Sequence, residues 1–596
     1  MRTDAARRLN KVRELMHNDN MDYYIIPSED AHQSERVAYS DRRLEYISGF
    51  AGPSGHAIVS RNSAYLVTDS RFSHLAHEQL DPHWVLVQVG GIQGPNDWIE
   101  WLAAKARRSR IGVDARMISC ENATRLAAKL GPLDSRLIHP PQNLVDLAWS
   151  DKPSKSRERI YRLPIELTGE EAASKLHRLR QWISVQPPSA GNFSVPEMHE
   201  GTLITSLSAI AYLLNLRGSD LLFDPVLHAY FFVGLQTAVL FINMSKVDED
   251  VAWYLQSLSV QRRDYTDVWR FLRQREWGTG KVLITPETSF AISLMLTRFR
   301  YTVAPSFVEE MMAFKNETEI EGLRRAHLRD GLSYVRFLAW LDEKLSVGYN
   351  ITEYEAAQRL NEFRRLDEHY LRPTYENISA TGPNAALPHY SPGRTTARMI
   401  DRESPYLSHS GGYYQGGRCD TARTLHFGRP TTEHIDAFTR VLRGHIAVDK
   451  AVIQGASSSF LEVLAQQAFF RDITSNSVCT FYFDSIIMHS SCGQEWHRAR
   501  IPSFRGRILP HQRGGRWGLR IKSTLTVQRA PGPNGAEWLR FERLTNVPIQ
   551  TRMVKNNMLT KEERQWLKAH NGRCFDLLAP HLKEDKRALN WLKRET

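Results

Sequence analysis

The sequence predicts an α/β (α+β) protein in three domains, at 1–150, 151–312 and 313–596. Three observations carry that reading: helical and strand periodicities alternate through the N-terminal half, a polar, proline-punctuated connection interrupts them at Ser150 to Arg162, and a long amphipathic helix pattern opens at Asn316. The 596 residues are 42% hydrophobic and 24% charged, enough apolar material for sizeable cores, which excludes disorder as the main state. No run approaches the roughly 18 apolar residues of a membrane span. The start, MRTDAARRLNKVRELM, is charged and amphipathic where a secretory leader would be apolar. The expectation is a soluble, cytoplasmic protein that does not engage a membrane. Five cysteines, scattered and without a CxxC pair, argue for reduced, mostly buried thiols and against a disulfide framework or a zinc finger.

The elements follow in order. Leu9, Val12, Leu15 and Met16 recur at helical spacing, and Tyr23 to Ile26 reads as a strand ended by Pro27. Strand and helix patterns continue through His56 to Val67, Trp84 to Val89, Trp98 to Ala106 and the strand starting at Ile111. In the second domain the spacing predicts a helix near Lys175 to Trp182, strands at Thr202 to Leu207 and Ala238 to Ile242, and a helix from Asp264 to Gln274. The third domain opens on a helix with Ile320, Leu323, Ala326, Leu328, Leu332, Val335 and Leu338 on its apolar face, with Thr318 placed to cap it and Glu321 three positions on. A helical extension from about residue 544 ends in two charged helices with apolar faces at Trp566, Leu567, Leu577, Leu578, Trp591 and Leu592.

Seven blocks carry a specific likeness: YIIPSEDAHQSE (24–35), YISGFAGPSG (46–55), LLNLRGSD (213–220), KNETEIEGLRRAHLRDG (315–331), TGPNAALPHYSP (381–392), RTLHFGRPT (423–431) and LTNVPIQTRM (544–553). In these the chain resembles the aminopeptidase P (Xaa-Pro aminopeptidase) family, in its long three-domain cytosolic branch. The resemblance implies two creatinase-like N-terminal α/β domains followed by a C-terminal pita-bread domain, assembly as a dimer, and two manganese ions that activate water to cleave the bond before a penultimate proline.

Two divalent ions require hard oxygen ligands that neutralise them and hold them close together. The family supplies four carboxylates and one histidine. Its D-S-G-G block, with a second Asp eleven positions on, aligns here with YLSHSGGYYQGGRCDTARTLHFG, placing His409 at the first ligand position and Asp420 at the second. The glycine-rich histidine block has no counterpart in SVCTFYFDSIIMHSSCG; counting puts Tyr482 at that position, with His489 and His497 as the nearby histidines. The last two glutamate positions fall on Ile508 and Lys522, while Glu542 matches a later block that carries no ligand. His389 and Arg520 match the family's proton-shuttling histidine and substrate-side arginine, and are read as vestigial.

With Asp420 at −1 and Lys522 at +1, the matched positions offer no net negative charge, so no cofactor is expected. The leading reading is therefore a homologue that has lost peptidase activity, a pseudoenzyme acting as a binding partner, either as a homodimer or paired with an active paralogue. An altered manganese enzyme, or a single zinc held by His409, Asp420 and His489, is the alternative. From His497 to Lys522 the chain carries seven arginines, one lysine and no acidic residue within an overall charge of +12, which suggests a third reading: an adaptor that takes an anionic ligand on Arg498 to Lys522.

Overall fold

The computed structural model describes residues 2–91, 94–188, 197–297, 300–387, 389–453, 461, 463–465, 477–485, 487–489, 502–510, 517–531 and 537–596. It divides into two compact units, Met1–Ile165 with Glu170–Met312, and Glu166–Gly169 with Ala313–Thr596. Among the described residues no helix is long and apolar enough to cross a membrane, and Cys120, Cys419 and Cys574 are free and buried.

In the first unit helix α1 (Arg2–Asn18) buries Leu9, Val12 and Met16 as its periodicity requires. Six strands, β1 (Tyr23–Pro27), β2 (His56–Ser60), β3 (Ala64–Asp69), β4 (Trp84–Val89), β5 (Arg110–Val113) and β6 (Arg136–Ile138), form a sheet in the order β4-β3-β2-β1-β5-β6. Six more, β7 (His199–Ile204), β8 (Ala229–Gly234), β9 (Ala238–Ile242), β10 (Gln261–Arg263), β11 (Lys281–Ile284) and β12 (Tyr301–Val303), run in the order β10-β9-β8-β7-β11-β12. Advancing each label of the first sheet by six gives the second. The pairings agree as well: β1 is antiparallel to β2 and parallel to β5, and β7 is antiparallel to β8 and parallel to β11. The unit is one topology used twice.

Two boundaries differ from expectation. The strand predicted at Thr202 to Leu207 ends at Ile204, and Leu207–Leu213 is a helix whose N-cap, Ser206, accepts the Ala209 N–H. An apolar run without clear periodicity cannot show where strand gives way to helix; the serine does. The helix predicted from Asp264 starts at Asp267, because the Asp264 carboxylate instead accepts the Thr266 N–H and hydroxyl in a local turn.

The second unit is built on helix α2 (Glu317–Ser346), which buries Tyr334, Phe337, Leu338 and Leu341 against α3 (Glu353–Arg365) and the last helix. Its cap is not Thr318 with Glu321. Asn316 Oδ1 accepts the Glu319 N–H at 2.9 Å and Glu319 Oε2 accepts the Asn316 N–H at 3.0 Å. Asn316 is the last extended residue, whereas Thr318 already lies inside the first turn and cannot cap. Helix α4 (Thr432–Asp449) follows. The chain closes with α5 (Lys561–Leu578) and α6 (Lys586–Glu595), burying Leu567, Leu578, Trp591 and Leu592. Leu577 is 37% exposed, against expectation: the buried face of α5 runs through Leu567, Asn571, Cys574 and Leu578 at steps of three and four residues, and Leu577 falls beside it.

Candidate functional site

Three short strands make the floor of the site: β13 (Ile378–Thr381), β14 (Tyr406–Ser410) and β15 (Thr421–Leu425), with β14 central and antiparallel to both neighbours. His409 pairs across to Ala422 on β15, and Ala422 in turn pairs with Lys522, N–H to carbonyl in both directions at 3.3 and 3.0 Å. Cross-strand partners point to the same face, so the side chains of His409 and Lys522 flank Ala422. Asp420, two residues before Ala422, and Arg520, two before Lys522, join them by the period of two. The register puts the four side chains on one face, and their mutual contacts bring them together.

Their contacts are specific. Asp420 Oδ1 accepts the Tyr375 hydroxyl at 2.6 Å and faces His409 Nε2 at 2.9 Å, while Oδ2 accepts the Lys522 ammonium. Arg520 donates from Nη1 to His409 Nδ1 at 3.3 Å and from Nη2 to the Leu387 carbonyl at 3.1 Å. A guanidinium cannot accept, so Nδ1 holds the lone pair and Nε2 carries the proton given to Asp420. Exposure is 3% for His409 and 1% for Lys522, while the Asp420 side chain is 30% exposed. On the opposite face Arg423 donates to the carbonyls of Lys522, Val547 and Pro548, and burial lowers its pKa to about 10. These bonds hold the 520–524 segment against β15.

The wall over the site is the 381–398 segment, and its organiser is Glu353 at the start of α3. This fully buried carboxylate accepts the N–H groups of Thr381 (2.7 Å) and Arg398 (2.9 Å), the Asn384 amide (2.9 Å) and the Tyr390 hydroxyl (2.6 Å). His389 sits in an exposed turn of that segment. Behind β14, Arg364 Nε donates to Asp330 Oδ1 at 2.8 Å, both groups buried, and its Nη1 reaches Ser410 Oγ.

The structure thus brings His409, Asp420, Arg520 and Lys522 together. Tyr482 lies in strand β16 (Ser477–Ser485) opposite Arg505, His489 ends β17 (Ile487–His489), and Ile508 lies in β18 (Pro502–Pro510) opposite Cys479. The side chains of these three, and the whole of His497, lie outside the described residues. Glu542, in the hairpin of β19 (Leu525–Pro531) and β20 (Glu537–Arg543), accepts Arg324 of α2 through both oxygens at 3.0 Å, which makes it a tie between elements. The expected cationic surface needs correction at its end: Arg520 and Lys522 turn into the pocket, and Arg498 lies outside the described residues. Sequence reasoning missed Tyr375 and Glu353. A tyrosine in a loop gives no signal, and Glu353 is disguised as the first helical residue after the Thr352 cap.

This donor set does not fit a pair of divalent cations. Among the described residues it provides one carboxylate, already receiving a phenol, an imidazole and an ammonium. A dication about 4 Å from the ammonium would be repelled by about 8 kcal/mol at an effective dielectric near 20. His409 has its lone pair engaged by Arg520, and among the described residues no three His, Cys, Asp or Glu side chains form a group able to hold a metal.

Comparison with known proteins places the fold in one class. The Creatinase/Prolidase N-terminal domain matches at residues 8–145 and again, by a second family profile, at 151–319; metallopeptidase family M24 matches at 321–526, and the C-terminal region of peptidase M24 at 537–596. The chain is therefore two creatinase-type domains followed by an M24 pita-bread domain. A protein from Laccaria bicolor named "Probable Xaa-Pro aminopeptidase P" is 34% identical over 612 residues, covering 99% of this chain and 93% of that one. One of the same name from Coprinopsis cinerea is 34% identical over 623 residues, covering 100% and 98%. The crystal structure of X-prolyl aminopeptidase from Caenorhabditis elegans, described as a cytosolic enzyme with a di-nuclear active site, superposes with a TM-score of 0.88 at 28% identity over 99% of both chains. The chain belongs to the Xaa-Pro aminopeptidase P family.

Proposed function

We propose that this chain is a non-hydrolytic member of its family, a cytosolic pseudoenzyme that works through binding, as a homodimer or with an active paralogue. One observation carries the reading: the carboxylate at the second ligand position is paired with a lysine where the family keeps a glutamate. The match to metallopeptidase family M24 over residues 321–526 supports a retained scaffold able to bind, and the cytosolic relative supports the compartment. The single-zinc alternative requires His409 to release a ring nitrogen that Arg520 or Asp420 now engages. The test uses the purified full chain. Metal analysis after dialysis and cleavage of Arg-Pro-Pro with added MnCl2 are both expected to be negative. Manganese-dependent cleavage abolished in Asp420→Ala would refute the proposal, and a stoichiometric zinc lost in His409→Ala would favour the alternative.

A further inference from the structure

The family's cations and this chain's residues disagree at one position in a particular way, and the inference below rests on the non-hydrolytic reading. A lysine replacing a metal-ligating glutamate could leave the pocket, its long side chain carrying the charge out to water. Lys522 does not. Its backbone is locked to Ala422 on one side and receives Arg423 on the other, its side chain is buried, and its ammonium sits on Asp420 Oδ2. His409 and Tyr375 also reach the same carboxylate, and Arg520 fixes the ring of His409 in the orientation that donates to it.

We infer that Lys522 is a built-in cation: its ammonium supplies Asp420 with the positive charge that a divalent ion would otherwise bring, so that the pocket is closed to metals and the fold is independent of them. Three consequences follow from charge and geometry. Metal chelation leaves the protein unaffected. Removing Lys522 alone takes its ammonium away from a carboxylate whose side chain is 30% exposed, and removing both charges together relieves that defect. Because His409, Asp420 and Lys522 converge on one point, exchanging the two basic-side residues for acids creates a three-carboxylate nest for one hard dication with water completing its shell.

The experiment compares the full chain with Lys522→Met, Asp420→Asn, their combination, and His409→Asp combined with Lys522→Glu. Thermal unfolding is followed in EDTA and in MnCl2, and Mn2+ binding is measured by calorimetry. The wild type is expected to melt identically in both solutions. Lys522→Met is expected to lower the folding equilibrium constant about tenfold or more, with most of the loss recovered when Asp420→Asn is added. The His409→Asp, Lys522→Glu protein is expected to bind one Mn2+ and to melt higher in MnCl2 than in EDTA. Additive effects of Lys522→Met and Asp420→Asn would overturn the inference even if the acidic variant does not fold. A folded acidic variant indifferent to Mn2+ would also overturn it while leaving the non-hydrolytic reading intact. Stoichiometric manganese in the wild type would remove both.

Discussion

Between His409 and Lys522 stands Ala422, fully buried, and its bare methyl group is what leaves Asp420 room to receive both neighbours. Any larger side chain there has to displace the imidazole or the ammonium from the carboxylate. Ala422→Leu is expected to destabilise the second unit by about 1–3 kcal/mol, read as a lower urea midpoint with an unchanged slope. Glu353 works at the same scale by the opposite means, gathering donors instead of yielding space. In Glu353→Gln an amide NH2 must face N–H groups that need an acceptor, which should cost about 1–3 kcal/mol and open the 389–398 segment to proteolysis. A variant as resistant as the wild type would show that the hub is dispensable.

Among the elements, α2 gives the clearest test of local chemistry. Asn316→Ala removes the side-chain half of the capping box, the acceptor for the Glu319 N–H, and the hydrogen bond from the Asn316 amide to the Thr168 carbonyl, with an expected loss of about 1–2 kcal/mol. Thr318→Ala should change stability by only a few tenths, so measuring the pair by chemical denaturation decides between the two caps. The contrast also shows what the sequence could tell. Leu9, Val12 and Met16, or the apolar run of α2, declare their helices because burial repeats with the period of the backbone. Asn316 and Thr318 are both capping residues within one turn, each followed three positions on by a glutamate, so composition alone cannot rank them. The site was legible as a set of positions, with His409, Asp420 and Lys522 located by spacing from motifs. That Lys522 would fold onto Asp420 instead of swinging out was not, since it depends on the pairing of Lys522 with Ala422, a contact exactly 100 positions away in sequence.

At the scale of the molecule, buried histidines set the response to acid. Burial lowers the pKa of His228 to about 3 and of His327 to about 4, and pushes those of His32 and His570 down as well. These rings are neutral in the folded chain and protonate near 6.5 when it unfolds, so the unfolded state binds more protons and stability falls as the pH drops from about 6.5 towards 4. His228 and His327 together predict a loss of about 2–3 kcal/mol per pH unit around pH 5, visible as a steep fall in melting temperature between pH 7 and 5. A flat profile would contradict it, and His327→Gln should shallow the slope without affecting the region above pH 7. The row of His409, Ala422 and Lys522 has one further consequence, and it concerns heredity. In the genetic code a histidine codon differs from an aspartate codon by a single base, as does lysine from glutamate. Two point changes therefore separate this pocket from one ringed by acids, with no alteration to the strands that frame it, so a lineage could surrender the chemistry, and recover part of it, while keeping the architecture whole.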